Sequence, residues 1–130
     1  MNLLSLDEIK ALSEKQGGLS VSFFMPTHRM GSETQQNQIR FKNLLKKAEE
    51  ELVRNGMRSA DTRDFLKPAQ DLLNDLPFWR NQRDGLSAFL SPGYWGYFRL
   101  PMDFRELLVV SDRFHLKPLV PMLSGNVRFY

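Results

Sequence analysis

The chain contains no cysteine, which excludes a disulfide framework, a thiolate nucleophile and a cysteine-ligated zinc site. No apolar run approaches the roughly 20 residues that a membrane-spanning helix requires. The opening segment "MNLLSLDEIKALSEK" also lacks the basic start and the continuous apolar centre of a signal peptide. We therefore expect a cytoplasmic protein with no membrane partner.

Common catalytic motifs are missing as well. The sequence has no Walker-type phosphate loop, no dinucleotide-binding glycine motif and no HExxH. Its two histidines, His28 and His115, lie far apart, and lone histidines are more often structural than catalytic. Asp71 and Asp75 lie four residues apart on a predicted helix, where they can hold a hard cation or simply form a solvated face. We expect no cofactor and no metal, and an enzyme such as a nuclease using Asp71, Asp75 or His28 stays a minor alternative.

Positive charge is concentrated in one stretch. Residues 28 to 47 contain five basic side chains and one acidic side chain, a balance of +4, whereas the whole chain carries only +3. The basic residues of this stretch are Arg29, Arg40, Lys42, Lys46 and Lys47. Such a cluster indicates either a solvated helix face whose lysines pair with Glu49, Glu50 and Glu51, or a patch that faces phosphate groups.

The length of 130 residues, with 42% hydrophobic and 25% charged residues, is typical of one globular domain. We assign residues 1–124 to a single N-terminal α+β domain. The last six residues, "GNVRFY", look like a turn and the start of a strand. We expect residues 125–130 to begin a linker or a following domain of a longer natural chain.

Hydrophobic periodicity predicts the helices. A first helix covers residues 5–15, where Ser5 and Glu8 form a capping box. A second covers residues 36–55, and a third helical segment covers residues 61–76, in which Pro68 must kink the helix or start a new one. The buried stripe of the second helix is predicted to be Phe41, Leu44, Leu45, Ala48 and Leu52. The inward residues of the third segment are predicted to be Phe65, Ala69, Leu72, Leu73 and Leu76.

Alternation and turn signals predict the strands. Residues 19–25 form one strand, residues 86–90 and 94–100 form a hairpin, and residues 105–110 form a fourth strand. A short or broken helix follows, because its prolines allow nothing longer. The predicted order is α-β-α-α-β-β-β-α, which indicates an α+β fold with a small mixed sheet of about four strands covered by helices.

Four sequence blocks, taken in order, resemble a known family. They are "VSFFMPTHR", "QNQIRFKNLLKKAEEEL", "DGLSAFLSPGYWGYFRLP" and "LLVVSDRFHLKPLVPML". In this order and spacing, over about residues 18 to 124, they are similar to the N-terminal domain of bacterial relatives of archaeo-eukaryotic peptide-chain release factors. The specific group is bacterial archaeo-eukaryotic release factor family three.

This resemblance implies an α+β layer that enters the ribosomal decoding centre, with a loop-to-helix element that reaches messenger RNA. The family's Asn-Ile-Lys-Ser motif corresponds to Gln38-Ile39-Arg40-Phe41 here. The family's Gly-Gly-Gln loop, which works at the peptidyl-transferase centre, is absent from this sequence. The resemblance therefore implies a non-catalytic domain, with any peptidyl-tRNA hydrolysis belonging to a separate middle domain.

The chain departs from the family at the residues used for stop-codon reading. When the Phe of the Tyr-x-Cys-x-x-x-Phe motif is aligned with Phe114, Leu108 replaces the Tyr and Val110 replaces the Cys. Arg40 keeps a positive charge at the Lys position but presents a planar fork instead of a point charge. Stop-codon reading is therefore not expected, whereas RNA binding through charge and shape is retained.

The leading hypothesis is a domain that binds the ribosome or structured RNA, with no DNA expected, and that acts in translation termination or ribosome rescue. Basic side chains would contact phosphates, and amides would hydrogen-bond bases or ribose hydroxyls. The candidate RNA-binding residues are His28, Arg29, Gln35, Gln36, Asn37, Gln38, Arg40, Lys42, Lys46 and Lys47.

The alternative hypothesis is a protein-interaction module without direct RNA contact. Its docking surface, for a partner or for other domains of the same chain, would consist of Phe78, Trp79, Tyr94, Trp95 and Tyr97. The aromatic stretch "GYWGYFRL" permits two further interpretations, since its rings either stack on bases or pack the sheet.

Overall fold

The computed structural model describes residues 6–14, 16–28 and 34–121. In chain order the elements are α1 (Leu6–Ser13), β1 (Gln16–Pro26), α2 (Thr34–Arg54), α3 (Ser59–Phe65), α4 (Lys67–Leu73), α5 (Leu76–Trp79), β2 (Gly85–Ser91), β3 (Tyr94–Leu100), β4 (Leu107–Arg113) and a 3₁₀ turn (Lys117–Leu119). The α+β class is confirmed. The predicted cap at Ser5 and the terminal residues 125–130 lie outside the described residues.

The four described strands form one sheet in the order β3-β2-β1-β4, and every pairing is antiparallel. The prediction of a mixed sheet is therefore wrong. Pro26 at the end of β1 pairs with Gly85 at the start of β2, so the helical excursion leaves and re-enters the same end of the sheet. β2 is therefore antiparallel to β1. After β3, the connection at residues 101–106 leads to β4, which pairs with the other edge of β1.

Each face of the sheet buries its own core. On one face, α2 to α5 cover alternate strand residues, and the Phe41 ring lies 5.5 Å from that of Phe23 and 5.4 Å from that of Trp79. On the other face, α1 and the segment after β4 cover a second core that includes Phe24 and Phe89. The sheet is therefore the middle layer of three.

The α2 helix is the longest element, with 21 residues. It begins two residues earlier than predicted and ends at Arg54. Its predicted buried stripe is confirmed, because every member is at most 2% exposed: Phe41, Leu44, Leu45, Ala48 and Leu52. This stripe fixes which face of α2 is turned away from the sheet and toward solvent.

Pro68 divides the third helical segment, as expected from its missing N–H. The α3 helix ends at Phe65, and Pro68 lies in the first turn of α4. A second break follows, since the Asp75 side chain accepts a hydrogen bond of 3.2 Å from Phe78 N and caps the separate helix α5. The prediction that Leu76 points inward is wrong, because the new helix resets the register and leaves Leu76 53% exposed.

The hairpin between β2 and β3 is confirmed with its turn at Pro92 and Gly93. Gly93 has a φ of +84°, a backbone conformation that is unfavourable for residues with a side chain. Gly85, at the first residue of β2, meets a different demand: a Cβ there would lie 2.0 Å from Met102 O. The fourth strand begins two residues later than predicted, at Leu107. A 3₁₀ turn at Lys117–Leu119 lies within the segment predicted to form a short or broken helix, and helical backbone continues to the last described residue, 121.

Candidate functional site

The exit of β1 is tied to α2 by one side chain. Asn37 Oδ1 accepts a hydrogen bond from His28 N, and Asn37 Nδ2 donates to His28 O, each at 2.9 Å. On the other side, Thr27 N donates to Asp84 O at 3.0 Å and Thr27 Oγ1 donates to Arg83 O at 2.6 Å. The chain therefore leaves the sheet at a fixed position beside the start of α2.

Asn37 is fully buried, with 0% of its surface exposed. Both ends of its amide are occupied by the backbone of His28. The prediction that Asn37 hydrogen-bonds RNA is wrong for this residue, because its polar atoms do not reach the surface. Its role is to hydrogen-bond both backbone polar groups of His28 at the strand exit.

His28 lies next to Arg40, with 3.3 Å between His28 Nε2 and Arg40 Nη1. A guanidinium group only donates hydrogen bonds, so Nε2 is on the accepting side of this contact. The contact positions Arg40 beside the strand exit. Arg29 lies outside the described residues.

One face of α2 lines an open groove. Side chains at three- and four-residue spacing share this face, as helical geometry requires. The residues on α2 are Gln35, Gln38, Ile39, Lys42 and Lys46. The opposite wall, from α4, α5 and their connections, consists of Gln70, Leu73, Asn74, Leu76, Trp79 and Arg80. We call this cleft the α2 groove.

The α2 groove contains three adjoining cavities. The first, between Gln35 and Arg80, has a volume of about 270 Å³. The middle cavity beside Ile39 has about 300 Å³, and the third, extending past Lys46, has about 520 Å³. Gln38 lines the first two cavities, and Lys42 lines the last two. The cavities therefore follow one another along the axis of α2.

The carbonyl of Leu73 joins the two walls of the α2 groove. It accepts a hydrogen bond of 2.8 Å from Gln38 Nε2 and one of 3.1 Å from Trp79 Nε1. Trp79 Nε1 also lies 2.9 Å from Leu72 O. The last carbonyls of α4 thus hold α2 and α5 at a fixed separation.

The positive charges of the α2 groove have no acidic partner among the described residues. Lys42, Lys46 and Arg80 are exposed, and none of them makes an ion pair with a described residue. Glu49 lines the far end of the third cavity without pairing with a described lysine, while Glu51 pairs with Arg54. The alternative in which the lysines pair with neighbouring glutamates is not observed in this part of the chain. These cations are available to an anionic ligand.

The remaining candidates on α2 lie on the adjacent face. Gln36, Arg40 and Lys47 follow a separate helical row, and Gln36 and Lys47 are exposed. The structure therefore divides the predicted set. The α2 groove brings together Gln35, Gln38, Lys42 and Lys46, whereas His28 and Arg40 lie at the strand exit.

The predicted aromatic docking surface is not present as one surface. Phe78 is 4% exposed and Trp79 is 5% exposed, so the prediction that they face a partner is wrong. Phe78 is enclosed by the Tyr97 ring at 5.0 Å and by the Arg99 guanidinium at 4.5 Å. Both rings are buried in the core between the helices and the sheet. The half-buried rings of Tyr94, Trp95 and Tyr97 remain on β3.

The residues considered for catalysis have structural contacts. Asp71 pairs with Lys67 at 3.1 Å, and Asp75 caps α5. The His115 ring packs against Phe24, with 6.2 Å between ring centroids, and its backbone N–H donates to Ser22 Oγ. No group of three or more metal-ligating side chains occurs within the described ranges.

The wall formed by α4 and α5 was missed by the sequence prediction. Leu76 was assigned to the core, and Asn74 and Arg80 were assigned to no site. The sequence signals for a helix break before Leu76 are Asn74 and Asp75, which favour helix ends and caps, and Pro77, which favours the first turn of a new helix. A separate α5 is what turns Leu76 toward the α2 groove.

Comparison of the chain with models of known protein families gives no match, and comparison with curated proteins gives no match either. The resemblance to release factors therefore keeps the status of an expectation. Across the described ranges, every helix is too short or too polar to cross a membrane.

Proposed function

We propose that this chain is a non-catalytic RNA-binding domain that contacts RNA through the α2 groove. The supporting observation is the row formed by Lys42 and Lys46 along one wall of the groove, with Arg80 at its opposite end, all three without acidic partners in the described structure. The proposal places the domain in a cytoplasmic, release-factor-like protein that acts at the ribosome in termination or rescue. Any hydrolytic step belongs to another domain.

The spacing of the lysines fits a nucleic-acid backbone. Lys42 and Lys46 lie one helical turn apart, about 6 Å along the axis at 1.5 Å per residue. That distance is comparable with the separation of successive phosphates. From Gln35 to Lys46 the groove extends roughly 16 Å by the same geometry, enough for a few nucleotides. Lysine–phosphate contacts of this kind supply affinity without sequence preference.

The polar residues of the α2 groove favour RNA over DNA. Gln35, Gln38 and Asn74 bring amide groups next to the cations. Amides both donate and accept, so they suit the ribose 2′-hydroxyl, which DNA lacks. A DNA ligand would satisfy the cations but leave part of this amide surface unused.

The alternative function, docking of a protein, retains one supporting observation. A cleft of about 350 Å³ lies where the hairpin turn meets α3 and α4. Its lining includes Phe65, Pro68, Pro92 and Trp95, with Asp64 contributing its charge. A protein partner would be expected at this cleft, on a surface separate from the α2 groove. Substitution of Trp95 by Ala distinguishes the two functions, because it removes a cleft wall and leaves the groove unchanged.

Ribosome co-sedimentation at low and moderate salt tests the proposed function. The parent chain is compared with the double variant Lys42→Glu/Lys46→Glu and with the control Lys10→Glu/Arg63→Glu, which changes net charge equally at exposed sites elsewhere. We expect the groove variant to lose at least about tenfold in affinity, since two phosphate contacts become repulsive. Equal losses in both variants would reject the groove as the contact surface.

A further inference from the structure

The first cavity of the α2 groove has apolar walls as well as polar ones. Ile39 is 48% exposed and Leu76 is 53% exposed, and they are two of the four large hydrophobic side chains exposed in the described residues. Ile39 lines the middle cavity and Leu76 lines the first, and Gln38 lines both. An amide therefore lies between two exposed apolar groups, with Lys42 and Arg80 close by.

The orientation of the Gln38 amide follows from its partner. Leu73 O only accepts hydrogen bonds, so the end of the amide that contacts it at 2.8 Å must be the NH₂ group. Gln38 Oε1 is then left as an acceptor, and it has no hydrogen-bond partner among the described residues. Leu73 O also binds Trp79 Nε1, which further fixes this arrangement. Gln38 thus presents an acceptor of fixed direction.

We propose that the α2 groove takes single-stranded RNA and seats one unpaired base at Gln38. The base lies between Ile39 and Leu76, and an N–H on its Watson–Crick edge donates to Gln38 Oε1. Lys42 and Arg80 contact the flanking phosphates. This inference rests on the proposed function and names its ligand class.

The preference for unpaired RNA follows from where base donors are located. Each standard base has an N–H donor on its Watson–Crick edge, and pairing consumes that donor. A paired base is also stacked inside the helix, where it cannot enter a cleft. A fixed acceptor between apolar walls therefore rejects duplex RNA, whereas lysines alone accept either form.

The test compares three RNA probes with the whole chain: oligouridine, which stacks weakly on itself, the same oligomer built from 3-methyluridine, and a blunt RNA duplex of equal phosphate number. Methylation at N3 removes the N–H donor and keeps the charge. We expect oligouridine to bind roughly fivefold more tightly than either other probe, the gain typical of one hydrogen bond. In the variant Gln38→Met the two single strands should bind alike.

The outcomes separate this inference from the proposed function. Equal, salt-dependent binding of all three probes would overturn the unpaired-base site and leave RNA binding standing. Absence of binding by every probe at low salt would overturn both. Thermal unfolding checks that Gln38→Met is folded, which we expect because Leu73 O keeps its bond to Trp79. A second variant, Leu76→Ser at an exposed wall, should weaken oligouridine binding more than duplex binding.

Discussion

The side chain of Asn37 pairs with both backbone polar groups of His28, through two hydrogen bonds of 2.9 Å. This pairing joins His28, the first residue of the basic stretch from 28 to 47, to the first turn of α2. It holds the start of the α2 groove in a fixed relation to the sheet, because α2 is packed on β1 through Phe41 and Phe23.

The variant Asn37→Ala should lose about 1–3 kcal/mol of unfolding free energy. Two part-buried hydrogen bonds to the His28 backbone would be lost, at about 0.5–1.5 kcal/mol for each bond. Urea unfolding followed by far-ultraviolet circular dichroism measures the loss. The neighbouring variant Gln36→Ala is the control, since Gln36 is exposed and should change stability by less than about 0.5 kcal/mol. Similar values for the two variants would contradict a structural role for Asn37.

A matched pair on α2 tests the assignment of its buried face. Leu52 is 0% exposed and Val53 is 42% exposed. We expect Leu52→Ala to cost about 2–5 kcal/mol by leaving a cavity, and Val53→Ala to be close to neutral because Ala is the better helix former. Chemical denaturation at neutral pH measures both. A larger loss for Val53→Ala would mean that α2 is rotated relative to this structure.

Two glycine positions should respond differently to alanine. In Gly85→Ala the new Cβ would meet Met102 O at 2.0 Å, so the connection to β4 must move or the strand pairing must break. We expect a loss above about 3 kcal/mol, comparable with severe overpacking. Gly56→Ala meets no atom within 4 Å but forces a φ of +101°, a cost of about 1 kcal/mol. Thermal unfolding of both variants ranks them, and the reverse order would reject the contact at Gly85.

Stability should fall at alkaline pH partly through Tyr94. Burial raises the pKa of Tyr94 above its ordinary value of 10.0, and the negative charge of Glu8 adds to this effect. A raised pKa in the folded state means that the folded chain holds its proton longer than the unfolded chain. The contribution is therefore complete below pH 10 and is lost as pH rises through the folded-state pKa.

The variant Tyr94→Phe measures that contribution, because it removes the titrating group and keeps the ring. We expect its unfolding free energy to decline less steeply than that of the parent chain between pH 9 and pH 11. Parallel declines in the two proteins would show that other groups cause the whole alkaline loss.

Local sequence patterns predicted the parts of the fold that depend on residues close together in the sequence. The stripe from Phe41 to Leu52 follows from helical periodicity, and the β2–β3 hairpin follows from Pro92 and Gly93 between alternating strands. The position of β4 at the far edge of the sheet was not predictable in this way. After the connection at residues 101–106, β4 could pair with the free edge of β3 or with that of β1. Which edge it takes depends on contacts between residues far apart in the sequence.

The composition of the α2 groove shows the same limit. Gln35, Gln36, Asn37 and Gln38 are similar amide residues in sequence, yet one is buried, two are exposed and one spans the gap to Leu73. Helical phase alone orients them only relative to α2, and the neighbours they meet come from residues far along the chain. The groove wall formed by α4 and α5 therefore could not be predicted from the sequence of the basic stretch.

Salt dependence of RNA binding distinguishes the groove lysines from the lysine on the adjacent face. Each phosphate contact to a single strand contributes about 0.7 to the slope of log affinity against log salt concentration. The variant Lys42→Gln should therefore reduce the slope by about 0.7, whereas Lys47→Gln, on the neighbouring helical row, should leave it unchanged. Fluorescence anisotropy with a labelled oligouridine over a salt series measures the slope, and Lys10→Gln on α1 is the control for net charge. A reduced slope for Lys47→Gln but not for Lys42→Gln would move the contact surface from the α2 groove to the face beside the strand exit, where Arg40 meets His28.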